Sequence, residues 1–185
     1  MHEDALIKSE TSDTQTICQL HAVLVRVFDV GVLMVGDSGS GKSECALELV
    51  TRGHRLVADD AVEIFVSEGR LEGRSPEVTR QLINIRGVGI MNVADSFGTA
   101  AVCERSVIDI CVELRPSTKV NSIWDSVSGY KIAAARLPKF LLSVSTESNL
   151  AVLVERVVRV HRAGGSFGTA SQPLEEHAGS RLLVH

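Results

Sequence analysis

One stretch limits what this chain can fold into more than any other. Gly36-Asp-Ser-Gly-Ser-Gly41-Lys42-Ser43 fits the phosphate-binding pattern GxxxxGK[ST] at every fixed position. The pattern needs a strand before it and a helix after it. Gly31-Val-Leu-Met-Val35 predicts a buried strand, and Glu44–Arg52 predicts the helix, which Gly53 ends. Gly36, Gly39 and Gly41 allow tight turns, so that the N–H groups running through Asp37, Ser38 and Ser40 can point inward at anionic oxygens. The helix N-terminus adds its own donors and its partial positive charge to the same spot. Lys42 is expected to reach the β- and γ-phosphates of a nucleotide, and the Ser43 hydroxyl to ligate Mg2+. A nucleoside triphosphate with magnesium is therefore the expected ligand.

The second constraint is Arg55-Leu-Val-Ala-Asp59-Asp60, an apolar strand that ends in two acids, one helix after the loop. Phosphate-loop proteins place a carboxylate near the metal in this way. The short link predicts that this strand lies beside the one delivering the loop. One carboxylate would then help hold Mg2+, and the other would accept a proton from an attacking hydroxyl. An acidic turn at a strand end is the alternative. His21 stands in a strand-like run, Leu20-His21-Ala22-Val23-Leu24, where a lone histidine is more often structural; the same reading applies to His54, His161 and His177. In Ile83-Asn-Ile-Arg86-Gly87-Val-Gly89-Ile90-Met-Asn92-Val93, glycines flanking Val88 predict a tight bend carrying polar groups.

Around these motifs, strand-like runs occupy Gln19–Val27, Gly31–Val35, Arg55–Ala58, Val62–Val66 and Val107–Leu114, with a hairpin turn at Phe28-Asp-Val-Gly31. A second helix is predicted over Asn149–Arg162, its apolar face built on Leu150, Leu153, Val154, Val157, Val158 and His161, with Glu155, Arg156, Arg159 and Arg162 facing away. Strands outnumber helices and hairpins lead into the loop, which predicts a mixed, curved α/β sheet rather than alternating βα units. With 185 residues and 44% hydrophobic content, one compact domain at 18–162 is expected between a loose arm (1–17) and a tail (163–185). A net charge of −4 and the lack of a dense basic cluster argue against nucleic acid. No apolar run approaches the roughly 18 residues of a membrane span, and the polar, acidic start excludes a secretory signal. Cys18, Cys45, Cys103 and Cys111 show no CxxC spacing and read as reduced, mostly buried thiols. The expected location is cytoplasmic.

Taken together, Leu20-His21-Ala-Val-Leu, Gly36 through Glu44, Arg52 through Ile64, and Ile85 through Val93 with Phe97-Gly98 resemble the catalytic domain of the bacterial HPr kinase/phosphorylase family; Asn149–Glu155 adds a fainter match. The resemblance covers about residues 18–160 and implies a fold similar to the nucleotide domain of phosphoenolpyruvate carboxykinases. It also implies a cytosolic serine kinase that uses ATP and Mg2+ on HPr, the carrier of the sugar phosphotransferase system, and a homo-oligomer, hexameric in the family. By the same resemblance His21 and Lys42 become active-site residues, Ser43 a magnesium ligand, Asp60 the carboxylate that deprotonates the serine, and Asp59 the one nearer the metal, the division between the two acids remaining open. The chain departs from the family in three places. Asn84 stands where the family has a second magnesium carboxylate, Ser126 where it has an arginine, and Ser143–Ser148 where it has an Arg- and Pro-containing loop tied to dephosphorylation. Lys42, Arg86 and either Arg136 or Lys139 are left as substitute cations. Weak or absent phosphorylase activity is therefore expected. Two other classes stand beside this reading: a nucleotide-binding regulatory module with little phosphotransfer, and a kinase of a small-molecule hydroxyl.

Overall fold

The computed structural model describes residues 16–116, 122–125, 129–144 and 149–167. Most of the expected arm and tail, with His177, Ser126 and residues 145–148, lies outside the described residues. The chain runs β1 (Thr16–Leu20), β2 (Val23–Val27), β3 (Val30–Gly36), α1 (Lys42–Thr51), β4 (Arg55–Ala58), β5 (Val62–Ser67), β6 (Arg70–Arg74), β7 (Leu82–Ile85) and β8 (Gly89–Asn92). There follow α2 (Val93–Phe97), β9 (Arg105–Val107), β10 (Ile110–Pro116), β11 (Ser122–Asp125), β12 (Tyr130–Ile132), β13 (Ala135–Leu137), β14 (Lys139–Val144) and α3 (Leu150–Arg162).

A six-stranded sheet in the order β11-β14-β10-β3-β2-β4 carries the core. It is mixed, as the sequence predicts: β10 runs parallel to β3 and β14, whereas β2 is antiparallel to both β3 and β4. The central strands are buried on both faces. Val23, Val25 and Val27 of β2 pack toward α1 and α3, while Ala22 and Leu24 pack toward Val62 and Ile64 of β5. Period-two alternation thus divides one apolar run between two cores. Each of these Val, Leu and Ile side chains contributes about 1.5–3 kcal/mol on burial. The second core is closed by a four-stranded antiparallel sheet, β1-β5-β6-β9.

Three expectations are corrected here. The run Gln19–Val27 is not one strand: it breaks at His21-Ala22, so that β1 pairs with β5 in the small sheet and β2 with β4 in the large one. No Gly or Pro marks the break, because the chain passes between sheets at a bend without needing a special backbone. Nor does β4 lie beside β3; β2 stands between them. The tight Phe28-Asp29 turn, with both residues at positive φ (47° and 65°), folds β2 directly onto β3 and takes that edge. The strand leaving α1 must then add outside β2, parallel to β3. Arg70–Arg74 and the β7–β8 hairpin add strands that the sequence reading did not name, and Val107–Leu114 divides into β9 and β10.

Helix α3 is capped by the Asn149 side chain, which accepts from the Val152 N–H at 3.1 Å. Its buried face holds Ala151, Val154, Val157 and Val158. Glu155 does not face away as predicted. It accepts two hydrogen bonds of 2.8 Å from the Arg52 guanidinium, and its Oε1 lies 3.0 Å from Nε2 of the buried His54. Arg159 lies over the Phe28 ring, 4.3 Å from its centroid. The bidentate Arg52 contact, aided by His54, pulls the Glu155 carboxyl from the ordinary 4.5 down to about 2. Because the folded value is the depressed one, this clamp stabilises fully above about pH 4.5 and fades as pH falls toward 2. Glu155→Gln is accordingly expected to lower Tm by about 2–4 °C at neutral pH, with the two melting curves converging in acid. Parallel thermal melts at pH 7 and near pH 2.5 check this; an undiminished gap in acid would contradict it.

Candidate functional site

The strands β3 and β4 run parallel, so both end at the same edge of the large sheet, and α1 begins there. Gly36 closes β3 at φ +145°, with no room for a side chain: a Cβ would lie 2.6 Å from the Leu114 carbonyl of the neighbouring β10. Helix α1 starts at Lys42, two residues earlier than the sequence reading, since Gly41 at φ +89° already serves as its N-cap. The Ser40 N–H is used within the loop, donating to the Asp37 carbonyl at 3.1 Å. The N–H groups of Gly39, Gly41, Lys42, Ser43 and Glu44 have no acceptor among the described residues. These are the orphan donors of a helix start, gathered by the loop into one cradle.

Lys42 is 6% exposed, and its ammonium donates to the Gly36 and Asp37 carbonyls at 2.8 and 3.0 Å. Ser43 donates its hydroxyl proton to Asp59 Oδ1 at 2.7 Å, which leaves the Oγ lone pairs free. Asp59 Oδ2 accepts the Asn84 main-chain N–H at 3.0 Å. Burial pushes the Asp59 carboxyl above the ordinary carboxylate range; the Asn84 N–H and the Ser43 hydroxyl pull the other way, and the charge of Asp60 adds to the rise. A buried carboxylate disfavoured in its charged form is one that a divalent cation would relieve. The donor set suits Mg2+, which takes oxygen ligands and needs only one or two from protein when phosphate oxygens and water complete its shell.

Asp60 takes φ +66°, a left-handed conformation uncommon for a residue other than glycine, asparagine or aspartate. Its side chain is open to solvent, whereas that of Asp59 is buried. His21 meets it there. Its Nδ1 lies 3.0 Å from both the Asp60 carboxylate and the Asp60 carbonyl. A carbonyl can only accept, so Nδ1 carries a proton in this contact. The encounter follows from the topology: β1–β2 and β4–β5 both cross from one sheet to the other, and since β1 pairs with β5 and β2 with β4, the two crossings lie side by side.

A cleft of about 290 Å³ joins these groups, lined by His21, Val23, Ser38, Gly39, Gly41, Lys42, Ser43, Glu44, Asp59, Asp60, Asn84 and Arg86. Of the residues named from sequence, Gly36, Asp37 and Ser40 do not line it; Ser40 is buried beneath the loop, its Oγ without a partner among the described residues. Arg86 comes from the β7–β8 bend and lies over Gly39, so close that a Cβ there would be 2.7 Å from its guanidinium. Lys139 is not in the cleft; it pairs with Glu113. Sequence reasoning missed the Asn84 N–H, whose signal is the hairpin itself rather than any side chain. Burial pushes the thiols of Cys45 and Cys111 up to about 12, so neither is a nucleophile, while Cys18 and Cys103 are only half-buried, against the expectation for Cys103. No helix among the described residues is long and apolar enough to cross a membrane.

Comparison with known proteins adds an independent line. The family described as HPr Serine kinase C-terminal domain matches residues 13–178. An HPr kinase/phosphorylase of Thermoanaerobacter sp. (strain X514) is 42% identical over 154 residues, which are 77% of this chain and 48% of that protein. The HPr kinase/phosphorylase of Streptococcus uberis (strain ATCC BAA-854 / 0140J) is 36% identical over 178 residues, 94% of this chain and 55% of that one. This chain thus spans about half the length of the curated relatives it matches. Among solved structures, the Hpr(Ser) kinase/phosphatase from Coxiella burnetii superposes with a TM-score of 0.72 at 30% identity, covering 80% of this chain and 92% of that one.

Proposed function

This chain belongs to the HPr serine kinase C-terminal domain family, and from that premise we propose that it is an ATP- and Mg2+-dependent serine kinase acting on HPr or an HPr-like carrier, with weak or absent phosphorylase activity. One observation carries the reading: a single cleft holds the cradle of unused N–H donors, the Ser43–Asp59 oxygen pair and, facing them, the His21–Asp60 pair. We assign the catalytic unit to residues 18–162, working in the cytoplasm as a homo-oligomer, hexameric on the family pattern.

In this mechanism the loop N–H groups and Lys42 hold the nucleotide's phosphates and neutralise charge that builds up during transfer. Ser43 and Asp59 would hold Mg2+, which when bound neutralises the phosphate oxygens. Asp60 accepts the proton of the acceptor serine as its oxygen bonds to the γ-phosphorus and the bond to the β-phosphate oxygen breaks, giving phosphoserine and ADP. His21, donating from Nδ1, orients that carboxylate and its left-handed backbone. Arg86 covers the loop at Gly39 and supplies a second positive charge.

The direction of the reaction follows from the cations. Phosphorolysis needs inorganic phosphate held without the rest of a nucleotide, a task suited to the paired donors of arginine. Lys42 and Arg86 are the only Lys or Arg side chains lining the described cleft. Incubation of the full chain with labelled ATP, Mg2+ and HPr is expected to label HPr. Seryl-phosphorylated HPr given millimolar phosphate without ATP should lose its phosphate at a small fraction of that rate. Comparable rates would overturn the directional assignment. ATP binding with no transfer would favour the regulatory module, and label on metabolites alone the small-molecule kinase.

A further inference from the structure

The rim of the cleft carries a feature that nucleotide chemistry does not use. In the β7–β8 hairpin, Ile83 and Ile85 are anchored in the core at 1% and 8% exposure, while Val88 and Ile90 stand out at 77% and 72%. The turn between them is firmly set, with the Val88 N–H donating to the Ile85 carbonyl at 3.0 Å and glycines at φ +79° and +102° on either side of Val88. Asn84 and Ile90 are direct cross-strand partners, so their side chains share one face, with Cβ atoms about 5 Å apart. Asn84 and Arg86, on the opposite strand and the turn, line the cleft. The exposed apolar pair is therefore continuous with the mouth of the catalytic cleft.

We propose that Val88 and Ile90 form the docking surface for the protein acceptor, and that the acceptor presents apolar side chains beside its reactive serine. This rests on the kinase reading above and specifies its substrate class. A free metabolite inside the cleft does not reach side chains beyond its rim. A serine in a folded protein brings its neighbours with it, and the exposed hairpin beside the cleft offers those neighbours an apolar surface to cover. The two side chains are displayed by a rigid strand pair, so little conformational freedom is lost when they are covered. Their apolar character selects an apolar counterpart, since covering them with a charged segment would strand that charge.

The test compares the full-chain protein with its Val88→Ser/Ile90→Ser variant, using HPr as acceptor at saturating ATP. KM for HPr is expected to rise about tenfold or more, in the range of two interface truncations, with kcat and ATP-dependent thermal stabilisation as in the original protein. The single variant Val88→Lys, at the turn where no core contact is disturbed, repeats the measurement and should raise KM several-fold. An unchanged KM in both variants overturns the docking surface and leaves the kinase reading standing. A smaller oligomer by light scattering with unchanged KM assigns the face to a second copy of this chain, and overturns it likewise. No label on HPr from the unsubstituted protein overturns both readings together.

Discussion

Lys42→Ala is expected to reduce phosphotransfer by about 10³-fold or more and to remove ATP-dependent thermal stabilisation while the fold persists. Among the described residues Lys42 is the cation at the base of the loop, hydrogen-bonded to the Gly36 and Asp37 carbonyls and almost out of solvent. That position keeps a positive charge where the β- and γ-phosphates of the proposed nucleotide would lie, in a region where water screens it poorly. Its removal frees two carbonyls, at a cost of about 1–3 kcal/mol if water cannot reach them. The loop opens onto the cleft, which keeps the actual cost toward the lower end. Circular dichroism and a thermal shift titration with ATP and Mg2+ separate the outcomes. Stabilisation by ATP equal to that of the unsubstituted protein would sink the assignment of the loop.

The second large effect is expected at Asp60. Asp60→Asn preserves size and tolerates the left-handed backbone, because asparagine is among the few residues at ease at φ near +66°. It cannot take up a proton. Turnover should fall by roughly 10²–10⁴-fold, mainly in kcat, with nucleotide affinity retained. Asp59→Asn should behave differently, since Asp59 is buried against Ser43 and the Asn84 N–H rather than open to the cleft mouth. Its signature is a raised magnesium requirement. Should Asp59→Asn instead cost kcat alone while Asp60→Asn alters magnesium dependence, the two roles are reversed.

The parts of this site that can be read from sequence are those whose chemistry is local. The phosphate loop declares itself because its glycines, lysine and serine must stand at fixed spacing within one turn of chain. Asp59 and Asp60 are visible because they end an apolar strand. Their different burial is not visible, because it depends on a positive φ that aspartate tolerates without leaving a mark on the residue type. His21 was legible only by resemblance. Its proximity to Asp60 is set by a bend with no Gly or Pro and by a pairing between strands far apart in the chain. The same limit hid the position of β2 between β3 and β4: pattern predicts that a strand exists, whereas order in the sheet is decided by which edge a two-residue turn occupies first. Glu155 was assigned outward on helical periodicity, and a bidentate arginine from another element drew it in.

The two groups proposed to act in catalysis, in consequence, are held differently by the two sheets. Lys42 and Ser43 are fixed to the large sheet through β3 and α1, whereas Asp60 and His21 stand on the two crossings, each tied at one end to the large sheet and at the other to the small one. The separation between the proposed proton acceptor and the phosphate loop therefore depends in part on how the two layers tilt against each other. Gly73 lies in that seam, where a Cβ would press on Leu24 and Val62 at 2.6 and 2.9 Å. A methyl added there, well away from the cleft, would act as a wedge that alters catalytic distance without touching a single group that performs the chemistry.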